Sequence, residues 1–183
     1  MKLVTTTLAL VSICLMGVIS RSDAPGAGHD GNVQEFYNML KGEWSGPYSV
    51  WLNPMEPPLN SEIAAQGRFV AQGSYFLLTY SWKAEDEEQE GVFLLGGEGE
   101  TASSTWGDSW HMQPEPMVCE GELTEEGQKL VFLGSYEAGP EMPEWGWRTE
   151  FTLQGEDAFL MEAYIITPEG LEGLAVRAEL TRK

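Results

Sequence analysis

Cysteine, histidine and basic side chains are scarce in this 183-residue chain, and each shortage closes off a class of chemistry. The two cysteines are Cys14 and Cys119, and Cys14 falls within an N-terminal apolar run. Without that run the chain keeps Cys119 alone and forms no internal disulfide, so a packed core must hold it together even in an oxidising compartment. The two histidines are His29 and His111, and His29 lies in a stretch rich in Gly that reads as a linker. One imidazole is left for an ordered site, too few for a multi-histidine metal centre. Ten Lys and Arg face 29 Asp and Glu, a net charge of −19. That sign repels phosphate backbones and anionic lipid head groups, which argues against nucleic acid and peripheral membrane partners. Most of the acids sit in turn-like stretches or alternate with apolar residues, the pattern of a solvated, self-repelling surface. Gly-x-Ser-x-Gly, His-Glu-x-x-His, P-loop and dinucleotide fingerprints are all missing. Gly96-Gly97-Glu98-Gly99 opens no helix and reads as a turn. Glu98 with Glu100, and Glu120 with Glu122, each share a strand face. Neither pair stands out from the acidic background as the two carboxyls, roughly 5–10 Å apart across a cleft, that glycosidase chemistry needs.

The N-terminus bears on compartment. Lys2 precedes residues 3–19, an apolar run diluted by Thr5, Thr6, Thr7 and Ser12, and Ser20-Arg21-Ser22-Asp23-Ala24 then supplies small residues suited to peptidase cleavage. These are the parts of a secretory signal peptide over residues 1–24, and they predict a periplasmic or extracellular protein. The alternative is an uncleaved membrane anchor, since the run approaches the ~18–20 residues that span a bilayer. Cys14 does not read as a lipidation site: Ile13 puts a β-branched residue where a small one is needed, and Cys14 lies deep in the run. Loss of residues 1–24 removes Lys2, Arg21 and Asp23 and takes the charge from −19 to −20. Roughly 160 residues remain, enough for one domain with a real core. Residues 25–32, with Pro25 and three glycines, read as a flexible linker, and residues 33–183 as a single domain.

Periodicity supplies the rest. Val33, Phe36, Tyr37 and Leu40 recur at helical spacing behind Asn32, a suitable N-cap, with Glu35 in the capping-box position, which predicts a short amphipathic helix over 33–40. Gly42 can end it by taking φ > 0 without a Cβ penalty. From Trp44 onward the apolar period becomes two, and ten strands are expected at 44–52, 61–71, 74–82, 91–97, 102–112, 118–123, 129–136, 145–154, 158–166 and 171–182. Short polar turns separate many of them (Gln72-Gly73, the acidic run 84–90, 124–128, 154–157 and 168–170), which makes sequence neighbours antiparallel neighbours. The longer Pro- and Met-bearing breaks at 53–60 and 138–144 read as loops over a barrel mouth or as ordinary surface connections. The fold class is all-β: an up-and-down antiparallel barrel of about ten strands with one short N-terminal helix. In the last strand Leu174, Val176, Ala178 and Leu180 share the inward face with Arg182. A cation ending such a row can stack on an indole for about 0.5–2 kcal/mol. Trp44 opens the first strand, so Gly42, Trp44 and Arg182 are expected to form a structural plug at one end.

The helix, Gly42-Glu43-Trp44, the strand count and the late Arg together resemble the calycin superfamily of lipocalin-like barrels, in which Gly-x-Trp opens the first strand and an Arg from the chain's end packs over the Trp. Over residues 40–183 the chain also resembles a bacterial family called domain of unknown function 1579. Leu40-Lys41-Gly42-Glu43-Trp44, Asn53-Pro54-Met55-Glu56-Pro57-Pro58, Gly73-Ser74-Tyr75-Phe76, Thr105-Trp106-Gly107-Asp108-Ser109, the turn at 121–130 and Thr181-Arg182-Lys183 carry the likeness, Trp-x-Asp-Ser most specifically. The family usually has Gly-Tyr-Asp-Asn before that strand, where this chain has Gly97-Glu98-Gly99-Glu100-Thr101-Ala102. The resemblance implies the fold and, as the family's name concedes, no activity.

The residues themselves point to Trp106-Gly107-Asp108-Ser109-Trp110-His111-Met112. In an unbroken strand Trp106, Asp108 and Trp110 share one face, with Gly107, Ser109 and His111 on the other. With the aromatic face inward, an acid sits between two indoles, where desolvation raises its pKa unless donors stabilise the charge. The other reading of Asp108 is a rim residue bonded to a turn. Seven Trp, seven Phe and six Tyr suffice to line a cavity or to fill one. Two functions therefore stand side by side: a non-enzymatic barrel binding an apolar or amphipathic small molecule at Trp106, Asp108 and Trp110, and a structural or interaction protein with a side-chain-filled barrel. The calycin resemblance adds a third, haem held through His111, although alternation sets that residue opposite the tryptophans. Nothing else in the residues calls for a cofactor or a metal.

Overall fold

The computed structural model describes residues 31–183 apart from Pro54, Gln113, Ala138 and Pro140. The leader expected at 1–24, with Cys14, and most of the linker, with His29, lie outside the described residues.

Helix α1 (Val33–Leu40) forms where the apolar spacing predicts it. The Asn32 side chain accepts the Gln34 backbone N–H at 2.9 Å, and Val33, Phe36, Tyr37 and Leu40 form the buried face. The chain turns extended at Lys41, and Gly42 follows at φ +115°. The backbone angle favours glycine, and a Cβ on Gly42 would stand 2.9 Å from Nη1 of Arg182 and displace the guanidinium.

Ten strands follow: β1 (Gly42–Val50), β2 (Leu59–Val70), β3 (Tyr75–Ala84), β4 (Glu87–Glu98), β5 (Thr101–Asp108), β6 (Met117–Thr124), β7 (Lys129–Glu137), β8 (Glu144–Leu153), β9 (Ala158–Ile166) and β10 (Glu172–Arg182). Each pairs with its sequence neighbours, and β1 pairs antiparallel with β10 to close the barrel, so the expected all-β up-and-down architecture is the one observed. Period-two patterning produces the interior directly: along β3 Phe76, Leu78, Tyr80, Trp82 and Ala84 are buried, and the residues between them are not.

Two expectations yield to backbone geometry. The acidic run 84–90 holds only a two-residue turn at Glu85-Asp86, because Ala84 pairs with Glu87 and the strand resumes at once. Glu88 and Glu90 then face water on either side of buried Gln89. In β10 a bulge between Leu174 and Val176 breaks the alternation, burying both Ala175 and Val176 and leaving Leu174 half-buried.

The helix end of the interior is full. Trp44, Phe76, Leu95, Leu130, Phe132, Phe151 and Phe159 are almost completely removed from water there, each burial contributing about 1.5–3 kcal/mol. Tyr37 of α1 stacks on Phe76 with ring centres 5.4 Å apart, and its hydroxyl donates to the Gly96 carbonyl at 2.9 Å. Trp44 meets Phe159 edge-on at 4.9 Å and donates its indole N–H to the Leu40 carbonyl at 2.9 Å. The Arg182 guanidinium lies 4.2 Å over the Trp44 ring. It also donates to the carbonyls of Lys41, Met39 (3.0 Å) and Glu156 (2.9 Å). Arg182 thus satisfies carbonyls at the C-terminus of α1 that have no intrahelical partner.

Candidate functional site

The opposite end is the mouth. Connections 51–58, 85–86, 109–116, 138–143 and 167–171 all lie there, which places both Pro- and Met-bearing loops over the opening. Beneath them is a cavity of about 380 Å³ whose walls include Trp51, Trp106, Trp110, Tyr136 and Trp147. Below it the interior narrows to a void of only about 20 Å³ beside Tyr80, Asp108 and Met161. A larger groove, about 850 Å³, crosses the outer face of β2–β5, but it is a trough open to solvent and buries a ligand less than the mouth would.

An aromatic ladder builds the cavity floor. Gly91 of β4 pairs with Tyr80 of β3, and a Cβ there would fall 2.0 Å from Tyr80 Cζ. Its absence lets the Tyr80 ring lie across the strand, where its hydroxyl accepts the Trp106 indole N–H at 2.9 Å. Phe93 stacks on Trp106 at 5.9 Å, Trp106 on Trp147 at 5.1 Å, and Tyr136 meets Trp147 edge-on at 6.4 Å. The Trp147 indole N–H goes to Thr149 Oγ1 at 2.9 Å. Both floor indoles therefore have their donors engaged and offer the cavity ring surface alone.

Asp108 shapes the wall. Its Oδ1 accepts the backbone N–H groups of Trp110 (3.2 Å), His111 and Met112 (3.0 Å), and its Oδ2 meets His111 Nδ1 at 3.1 Å. A short acidic side chain that bonds its own downstream N–H groups competes with the sheet ladder and turns the chain. The strand expected to run to Met112 accordingly ends at Asp108. The turn corrects two further expectations. His111 does not face away from the tryptophans but lines the same cavity as Trp106 and Trp110. Asp108 does not sit between two indoles: its side chain is 3% exposed beneath the turn, beside the small void, and reaches the cavity through His111. Burial pushes its carboxyl up, but the His111 imidazole and the His111 and Met112 N–H groups outweigh that and hold it below the usual carboxylate range. Burial, reinforced by the Asp108 charge, raises Tyr48 and Tyr80 well above the ordinary phenol value, so both stay neutral.

Of the three residues the sequence singles out for ligand contact, Trp106 is 5% exposed in the floor and Trp110 36% exposed at the rim, edge-on to Trp82 at 5.6 Å. Trp51, Tyr136 and Trp147 went unrecognised in the sequence. Their signal was position, since each lies within a few residues of one of the two Pro- and Met-bearing breaks. Charge at the mouth is one-sided: its five connections carry Glu56, Glu85, Asp86, Glu115, Glu141 and Glu169 and no Lys or Arg. Among the described residues no group of three or more His, Cys, Asp and Glu side chains is placed to hold a metal ion, and no helix is long and apolar enough to cross a membrane.

Residues 30–182 match the family described as protein of unknown function (DUF1579). The chain belongs to that family. The DUF1579 barrel is similar to the crystal structure of Rv2717c from M. tuberculosis, with a TM-score of 0.59 and 11% identity over 81% of this chain and 96% of that one. It is similar also to the S-type phycobiliprotein lyase CPES from Guillardia theta, with a TM-score of 0.59 and 15% identity over 85% of this chain and 95% of the lyase. At these identities the likeness shows the lipocalin-like fold alone. No curated protein matches the DUF1579 chain.

Proposed function

We propose that this DUF1579 barrel is an exported, non-enzymatic carrier that holds one apolar or amphipathic small molecule in its mouth. The observation that carries the proposal is the division of the interior into a filled helix end and an aromatic-walled cavity of about 380 Å³, within the range of about 300–1,000 Å³ usual for ligand sites. Few polar groups converge on it, His111 foremost, which suits a ligand recognised mainly by shape and ring contact. That a phycobiliprotein lyase shares the fold supports a ligand-handling role. Export rests on residues 1–24, and the mass of the protein recovered from the periplasm or medium checks it: a chain that still begins at Met1 would refute cleavage.

Titration with the neutral fluorophore N-phenyl-1-naphthylamine is the direct test. Its emission should rise as tryptophan emission is quenched, and Trp110→Ala should weaken binding. Absence of binding would favour the side-chain-filled structural barrel, for which the void of about 20 Å³ already speaks. His111 facing inward, with a carboxylate behind its Nδ1, is the arrangement often found behind a metal-ligating imidazole. Haem nonetheless does not fit the mouth, because its two propionates would meet the six carboxylates of the connections without one Lys or Arg. Haemin added to the protein should give no Soret shift.

A further inference from the structure

The mouth specifies the charge of what it takes. We infer that the ligand is an organic cation, an amine or quaternary ammonium group on an apolar or aromatic body. This rests on the carrier reading and narrows it.

The hydrogen-bond inventory weighs against an anion first. The N–H groups of the Trp106 and Trp147 indoles are held by Tyr80 and Thr149, and the backbone N–H groups of Trp110, His111 and Met112 are held by Asp108. A carboxylate or phosphate brought into the cavity would find these donors taken and would be left with neutral donors alone, the Trp51 and Trp110 indole N–H groups and the Tyr136 hydroxyl, and a buried anion without a cationic partner is disfavoured. Basic side chains near that end do not line the cavity: Lys83 is exposed on the outer face, in register with Glu88, and Arg148 is paired with Glu150 and Glu172.

The same inventory favours a cation. Aromatic faces attract positive charge, Trp most strongly, and the walls include four tryptophans and Tyr136. Asp108 adds a negative charge directly behind His111. By accepting Nδ1–H it also leaves Nε2 as the acceptor of the neutral ring, the polarity an ammonium N–H requires. Six carboxylates and no Lys or Arg on the surrounding connections, in a chain of net charge −19, raise the local concentration of cations and steer them to the opening.

Three molecules sharing one decyl chain separate the possibilities: decyltrimethylammonium, decanol and decanoate, each titrated below its micelle concentration against the full exported chain and followed by tryptophan fluorescence. The cation should bind roughly tenfold tighter than the alcohol, and the carboxylate more weakly than either. Trp110→Ala, and separately Tyr136→Leu, should reduce affinity for the cation more than for the alcohol, with near-ultraviolet circular dichroism confirming an intact barrel. Equal binding of all three overturns the charge preference and leaves the carrier reading standing. Binding of none overturns both. Cation binding unchanged in both variants would mean adsorption to surface acids, and that also overturns the inference.

Discussion

Trp44 at the helix end is held by an indole hydrogen bond to Leu40, an edge contact with Phe159 and the Arg182 guanidinium over its face. Trp110 at the mouth touches Trp82 and His111 edge-on and keeps a third of its surface in water. Both ends carry tryptophan, and what separates them is whether a cation of the chain covers the indole face. At the helix end Arg182 covers the ring face and ties down the carbonyls of a helix terminus. At the mouth, among the described residues, no Arg or Lys lines the cavity beside the tryptophans, and a space of about 380 Å³ stays open.

That contrast can be broken by substitution, the largest effect coming at the closed end. Trp44→Ala should cost about 3–5 kcal/mol in urea unfolding, the loss expected for emptying a packed site. Arg182→Ala should cost about 1.5–3 kcal/mol, since charge-assisted bonds to carbonyls are lost with the ring contact. Arg182→Lys should recover less than half, because an ammonium lacks the planar fork that meets several carbonyls. A double-mutant cycle showing no coupling between Trp44 and Arg182 would make their contact incidental.

Asp108→Ala should cost about 1–3 kcal/mol by orphaning N–H groups of the mouth turn. Asp108→Asn gives a milder loss that depends on pH. The native carboxyl sits below its ordinary value, so its contribution is fully present above the unfolded pKa and fades as pH falls through the folded one. Wild type and Asp108→Asn should therefore differ most near neutrality and converge in acid, and a gap that widens in acid would contradict a carboxylate held by the N–H groups of the mouth turn. The smallest stability effect belongs to Trp110→Ala, about 0.5 kcal/mol or less for a rim residue, yet it should change ligand binding more than the Arg182 variants do.

Local chemistry made the helix, the Gly42 stop and nearly all strand positions legible, because capping, positive φ and period-two alternation are written into consecutive residues. The end of β5 was hidden by that same rule. Trp106, Asp108 and Trp110 keep perfect alternation, so nothing in the period reveals that the Asp108 side chain takes the N–H groups the next ladder bonds would need. Pro114 and Pro116, which cannot donate to a ladder, were the available hint. The β10 bulge left no mark on the apolar pattern either. The meeting of Trp51, Tyr136 and Trp147 follows from closure and register, properties of the whole barrel that no single segment carries.

The seam between β1 and β10 also has a consequence in time. Every other strand pairing joins sequence neighbours, whereas this one brings Trp44 to Arg182 across the length of the barrel. Hairpins with short connections form early, and the long-range pairing must wait until the entropy of closing the chain is recovered by the contacts it makes. Interactions that exist only across the seam are then absent from the rate-limiting barrier. Arg182→Ala loses the seam contacts to Trp44, Met39 and Lys41 together with the bond to Glu156, and should accordingly speed unfolding far more than it slows refolding in stopped-flow measurements. The guanidinium that covers the plug thus acts as a latch, governing how long a closed barrel stays closed and having little say in how quickly it forms.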